Sequence, residues 1–416
     1  MVVASDAGRR VRLLALTLVL ALAGARTARA EKSFIPIPEI LTDPNEWTTF
    51  GLLGVVLFLD DKDQVQYILA PDARYNKTKG FFPTFRFLGY PTPTRRYSIV
   101  VGKSTTRDED YEAEFTDRGL LDGRAFVLAS VLHERDSTER FFGIGNGTTQ
   151  DDESNYTDVD TLAQATPGVW ILPHLNATYR MRVRHYSLER GQVDNVPCVG
   201  SGPGPCPDST EPSPPATRNR KFRRSGVFWA HRVALTYDSR DEMDIPRRGA
   251  LAQVYTELAD RHLGSESSFV KFGIEWRKFI PLWAGNPILA LRALADYTSG
   301  SSDTPFWEQS KLGGRRTLRG FGSQRFVDFN RSLAGAEVRT RVWQHPLFGV
   351  NAELEVAPFV EAGQVFHHVR DSPVSDLHWV GGLGFRGVVR PQIVGFVDVG
   401  YGAEGSAIFT GIDYPF

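Results

Sequence analysis

The chain has 416 residues, with 48 basic and 49 acidic side chains and a formal net charge of −1, so it lacks the cationic excess that a nucleic-acid-binding surface needs. After residue 30 no run of about 18 apolar residues occurs, which excludes a transmembrane helix from that part of the chain. What stays open is a soluble β-protein or one large barrel, which can cross a bilayer because every backbone polar group pairs between strands.

At the amino terminus Arg9, Arg10 and Arg12 precede an apolar run from Leu13 to Ala25, and Ala28-Arg29-Ala30 supplies small residues where a signal peptidase reads. Residues 1–30 read as a secretory signal peptide, since the run is shorter than the ~20 residues of a helical span. Their removal takes away five arginines and one aspartate and leaves 43 basic against 48 acidic side chains. Residues 31–63 start Pro-rich, turn apolar from Phe50 to Leu59 and stop at Asp60-Asp61-Lys62-Asp63. They read as a periplasmic lead-in or plug segment, with a short helix as a third option.

From Val65 the chain breaks into segments separated alternately by tight Gly/Pro turns and longer polar loops. Strands are expected at 65–75, 80–90, 95–104, 109–118, 123–134, 156–171, 175–188, 227–239, 249–260, 268–280 and 286–298, then at 332–343, 351–366, 378–388, 391–401 and 406–416. Within them the period is two. Arg180, Arg182 and Arg184 alternate with Tyr179, Met181 and Val183, and Lys271, Glu275 and Arg277 face away from Phe272, Ile274 and Trp276. A soluble sheet with one wet face gives that alternation too. The aromatic apolar face, and an opposite face holding more Arg and Glu than a packed core accepts, favour a membrane barrel. The expectation is all-β: a sixteen-stranded antiparallel transmembrane β-barrel over 64–416. Short turns at 90–93, 119–123, 172–174, 281–286 and 389–391 contrast with long loops at 135–155, 189–226 and 299–331; Asp238 to Gly249 is an exception, a long turn on the short-turn side.

Cys198 and Cys206 bracket a Gly/Pro loop, and in an oxidising compartment they are expected to pair as a disulfide worth about 2 kcal/mol. Neither Gly-x-Ser-x-Gly, His-Glu-x-x-His nor a phosphate-binding Gly loop occurs, and His367, His368 and His378 read as solvated loop residues rather than metal ligands. No enzyme activity, metal or cofactor is expected, although a hydrolase with a dispersed triad stays as a third class, because triads follow geometry rather than chain order.

The stretch Gly313 to Phe326 carries four arginines among glycines and aromatics and is too irregular for a strand. With eleven strands before it, this loop leaves the rim opposite the chain ends, from where it can fold back into the lumen. Its core, Leu318-Arg319-Gly320-Phe321, resembles the Arg-Gly-Phe/Tyr signature of the BamA/TamA outer-membrane assembly barrels, also called bacterial surface antigens. Arg140-Phe141-Phe142-Gly143-Ile144-Gly145-Asn146 is similar to that family's aromatic-Gly-x-Gly-Asn segment, and Asp238-Ser239-Arg240-Asp241 to its Asp-x-Arg-Asp turn. Phe359-Val360-Glu361-Ala362-Gly363 resembles its acidic strand motif. Ile412, Tyr414 and Phe416, ending an alternating segment, resemble the carboxy-terminal signal by which outer-membrane barrels are recognised for insertion.

The resemblance implies an Arg319–Glu361 ion pair, with Glu355 as second choice, in the outer membrane of a Gram-negative bacterium. It implies insertion or translocation of proteins, or of lipids, with outer-membrane lipid, unfolded outer-membrane protein clients or a periplasmic partner as contacts. Residues 31–63 are too short for one of the family's periplasmic POTRA adaptor domains. That departure keeps a second reading open, a passive pore or structural surface barrel. Pro71 and Pro415, which cannot donate ladder hydrogen bonds, are expected to weaken a seam between the first and last strands.

Overall fold

Segments that alternate greasy and polar side chains bury neither face alone, and closing them into a ring satisfies every backbone group while giving each face its own solvent. The computed structural model describes residues 32–60, 65–194, 196–199, 225–300, 304–347, 350–371, 376–389 and 393–412. The expected signal peptide and Cys206, Tyr414, Pro415 and Phe416 lie outside them.

Among the described residues, eighteen antiparallel strands form the barrel. They are β1 (Lys32–Asp43), β2 (Trp47–Leu59), β3 (Val65–Asn76), β4 (Gly80–Thr92), β5 (Arg95–Lys103), β6 (Glu109–Leu120), β7 (Ala125–Phe141), β8 (Ser154–Leu172), β9 (Leu175–Arg190), β10 (Ser225–Asp238), β11 (Gly249–Ala259), β12 (Phe269–Pro281) and β13 (Ile288–Gly300). After the loop that carries β14 (Ser310–Leu312) and β15 (Phe326–Asp328) come β16 (Asn330–Leu347), β17 (Val350–Phe366), β18 (His378–Val389), β19 (Ile393–Gly402) and β20 (Gly405–Ile412). Each wall strand pairs with its neighbour in chain order, β13 passing over the small β14–β15 hairpin to β16.

The barrel is as expected, but its strand number is eighteen rather than sixteen. Residues 32–59, expected as a lead-in or plug, form its first hairpin, paired from Lys32–Phe58 to Asp43–Trp47. On β2 both faces are apolar, Leu53 and Val55 packing inward on Ala70 while Phe50 and Leu52 face out, and this erases the period-two signal. On β1 the prolines disguise a strand. Thirteen wall strands now precede the long loop, still an odd number, so it leaves the rim opposite the one where β1 begins and β20 ends.

The outward face carries an apolar belt, with Val254 and Leu258 on β11, Phe272 and Ile274 on β12 and Leu383 and Phe385 on β18 all exposed. The inward face buries charge, including Glu257, Glu337, Arg339, Arg386 and Asp398. The long turn between β10 and β11 folds across the mouth: Asp238 and Arg240 pair at 2.8 Å, and Ile245 reaches Val388 and Val394 on the far wall.

Among the described residues, ring closure is the joint with the fewest hydrogen bonds. β1 and β20 lie side by side, but among the described residues they share no backbone ladder. They are joined by Thr410, whose Oγ1 accepts from the Thr42 N–H at 2.9 Å and donates to the Ile40 carbonyl at 2.6 Å. In an extended strand, alternate residues turn their N–H and C=O groups to the same side, so the even positions of β1 face β20. Pro36 and Pro38 share that parity in an unbroken β1–β2 register, and neither has an N–H to donate on that side of the strand. Pro71, expected at the seam, sits two strands away in β3. There the β2–β3 ladder skips from the Leu53–Asp72 pair to the Val56–Leu69 pair. Cys198 is buried and forms an isolated bridge with Asn155.

If the exposed belt meets lipid, Val254→Arg destabilises the barrel in vesicles by about 2–4 kcal/mol, and Gln253→Arg on the adjacent lumen position by much less. Urea unfolding in vesicles checks this, and equal costs at the two positions contradict the assigned faces.

Candidate functional site

An eighteen-stranded ring leaves a lumen too wide for its own wall side chains to fill, and residues 304–329 fill part of it. The β14–β15 hairpin, paired Ser310–Asp328 to Leu312–Phe326, holds the loop's base. Phe306, Trp307 and Val327 pack on Phe141, Tyr156, Tyr186 and Phe228 of the wall. Leu312, Leu318, Phe321 and Phe326 form a second cluster with Leu333, Phe359 and Val380. His378 closes it by stacking on Phe326, ring centroids 3.9 Å apart, so this histidine is part of the packing rather than a solvated loop residue.

The tip lies flat on β19. A Cβ added at Gly400 would stand 2.1 Å from the Arg319 carbonyl oxygen, and one at Gly320 would stand 2.9 Å from the Gly402 nitrogen. Only glycine on both surfaces permits that approach. It delivers Arg319, fully buried, to three carboxylates from three strands. Its Nε donates to Glu361 on β17 at 2.9 Å, and its Nη1 donates to Glu337 on β16 and to Asp398 on β19, each at 2.8 Å. The Arg319 backbone N–H donates to Glu361 as well, at 2.8 Å, and the Phe359 ring covers the guanidinium with Cζ 3.6 Å from its centroid.

Two wall arginines balance the charge. Arg386 donates to Asp398 and, at 3.3 Å, to Glu337, while Arg339 donates to Glu337 at 2.9 Å. Three guanidinium groups thus face these three carboxylates, and withdrawing Arg319 would leave Glu361, Glu337 and Asp398 each without one cationic partner in a buried site, a cost that opposes release of the loop.

Towards the rim the loop clasps both sides of the seam. Ser323 donates to Asp43 at 2.7 Å and accepts from Asn45 at 2.8 Å, both in the β1–β2 corner. Arg325 donates to Glu404, between β19 and β20, at 2.9 Å, and its guanidinium lies over the Phe142 ring. The Gly145 N–H donates to the Val327 carbonyl at 2.8 Å, which places the aromatic-Gly-x-Gly-Asn segment against the loop.

The structure therefore brings together Leu318, Arg319, Gly320, Phe321 and Glu361. Glu355 is buried on the same strand but is not among the carboxylates that bond Arg319. Sequence reasoning missed Glu337 and Asp398 as ligands of the loop arginine. A signal existed: Asp398 and Arg386 are lone charges in otherwise apolar, glycine-rich strands, and an isolated charge on such a strand needs a partner. Ile412 ends β20.

Residues 95–382 match the model of the Omp85 superfamily domain. The fold is similar to that of BamA from Haemophilus ducreyi lacking POTRA domains 1-3, with a TM-score of 0.54 at 14% identity over 95% of this chain and 78% of that one. CdiB from Escherichia coli is a more distant likeness, with a TM-score of 0.48 at 11% identity over 94% of this chain and 62% of that one. No curated protein sequence matches significantly.

Arg319→Ala strips one partner from a buried network and is expected to weaken loop attachment by up to about 3–5 kcal/mol. Trypsin then cleaves after Arg315 or Arg316 faster than in the parent protein. Arg319→Lys does not restore protection, because an ammonium cannot span three carboxylates as a guanidinium fork does.

Proposed function

The chain belongs to the Omp85 superfamily, and from that premise we propose that it inserts or translocates proteins, or lipids, at the bacterial outer membrane through the seam between β1 and β20. The observation that carries this reading is the seam itself. Among the described residues every other boundary of the barrel has a continuous or nearly continuous ladder, whereas this one shows the two hydrogen bonds of Thr410, and Pro36 and Pro38, on the same side of β1, have no N–H to donate. Among the described residues, opening it breaks two hydrogen bonds.

An opened seam offers β20 as a free edge, and an extended client segment can add to such an edge by main-chain pairing. The lumen loop governs the opening, since Ser323 holds the β1 corner and Arg325 the β20 corner. Release at Arg319 frees the tip and loosens both corners together. Client strands, surrounding lipid and a periplasmic partner are the contacts this requires, and the outer membrane is the address.

Depletion of the protein, followed by an inventory of outer-membrane components, tests the reading. The expected result is loss of specific folded proteins or lipids, restored by the parent protein. A Thr42→Cys/Thr410→Cys pair restores them when reduced and not when oxidised across the seam. An inventory that depletion leaves unchanged contradicts the proposal and returns the barrel to a passive pore.

A further inference from the structure

Away from the seam, a cavity of about 360 Å³ lies between the wall at β8–β12 and the loop residues Trp307, Glu308 and Gln309. Five cationic side chains line it, Arg180, Arg182 and Arg184 from one face of β9, Arg232 from β10 and Lys271 from β12. Three carboxylates oppose them, Asp160, Glu257 and Glu308, so the lining carries two positive charges in excess.

The acceptors are already engaged. Glu257 takes hydrogen bonds from Arg180 at 2.7 Å and Arg232 at 2.8 Å; Glu308 takes them from Arg182 at 2.7 Å and Arg184 at 2.9 Å. Asp160 is bound by Arg184 at 3.0 Å, and Lys271 reaches only the Glu308 carbonyl oxygen, at 3.1 Å. Three donors among the lining residues have no acceptor: the Nε of Arg180, the Nε of Arg182, and the indole N–H of Trp307, a side chain 3% exposed. The Gln309 Oε1, also buried and without a partner, can accept a hydrogen bond from a ligand hydroxyl. Buried donors without acceptors are costly, and surplus charge makes them costlier.

We propose that this cavity binds a soluble phosphate or small organic phosphate. A dianion cancels the charge excess, and its tetrahedral oxygens accept from guanidinium groups in the geometry arginine favours. The site is walled from lipid by β8–β12, so the ligand enters from the aqueous lumen. Because Trp307, Glu308 and Gln309 belong to the loop, the bound anion ties the loop to the β9–β12 wall, on the side away from Arg319.

Calorimetric titration of the detergent-folded full chain with inorganic phosphate tests the site, with sodium chloride at matched ionic strength as reference. A saturable phosphate signal is expected, at least tenfold weaker in Arg180→Gln and in Lys271→Gln and unchanged in Arg107→Gln, an exposed residue of a distant loop. Arg180→Gln leaves Glu257 paired with Arg182 and Arg232, so the wall keeps its other ion pairs. Dihexanoyl phosphatidic acid, titrated in parallel, separates a free phosphate from a lipid headgroup. Absence of saturation, equal affinity in all variants, or a response confined to the lipid overturns the proposal.

Discussion

A buried guanidinium tolerates no approximate surroundings, and the fold is arranged around the one at Arg319. Its three carboxylates come from β16, β17 and β19, so those strands must hold fixed registers for the site to exist. The glycines at 320, 400 and 402 follow from the same demand, because a side chain at any of them would lift the loop and draw Arg319 out of reach. The wall arginines at 339 and 386 follow as well. Without them, three carboxylates around a single guanidinium would leave two anions uncompensated where water is scarce.

The same loop touches the barrel where it is least complete. Among the described residues seventeen strand boundaries are laddered, while the eighteenth is bridged by a threonine hydroxyl, and two prolines that cannot donate lie on that side of β1. The loop's outer contacts, at Asp43, Asn45 and Glu404, sit on the two corners of that joint. Lumen and wall are thereby mechanically one unit. On the opposite wall the cationic lining at Arg180, Arg182 and Lys271 gives the loop a second point of attachment, of different charge balance.

Much of this was legible in the residues. Period-two alternation on β9 and β12 shows a wall with a wet and a greasy face, parity puts Glu353, Glu355 and Glu361 on one face of β17, and the resemblance of Phe359–Gly363 to the family's acidic strand motif singles out Glu361 for Arg319. The first hairpin was not legible, because β2 is apolar on both faces and β1 carries Pro36 and Pro38, residues that argue against a strand except at an edge. An edge is where they stand. The other two ligands of Arg319 were hidden for a different reason: which strands meet across a lumen depends on curvature and loop path, and neither leaves a periodic trace. Pro71 misled because a proline in an apparent first strand resembles a seam residue, and two further strands precede it.

If the Arg319 network holds the loop inside the lumen, it keeps an eighteen-stranded ring from conducting as an open pore. Planar-bilayer recording of the parent protein beside Arg319→Ala tests it directly. The account predicts small, closed-dominated currents for the parent and larger, sustained conductance for the variant; indistinguishable conductance in the two would contradict it.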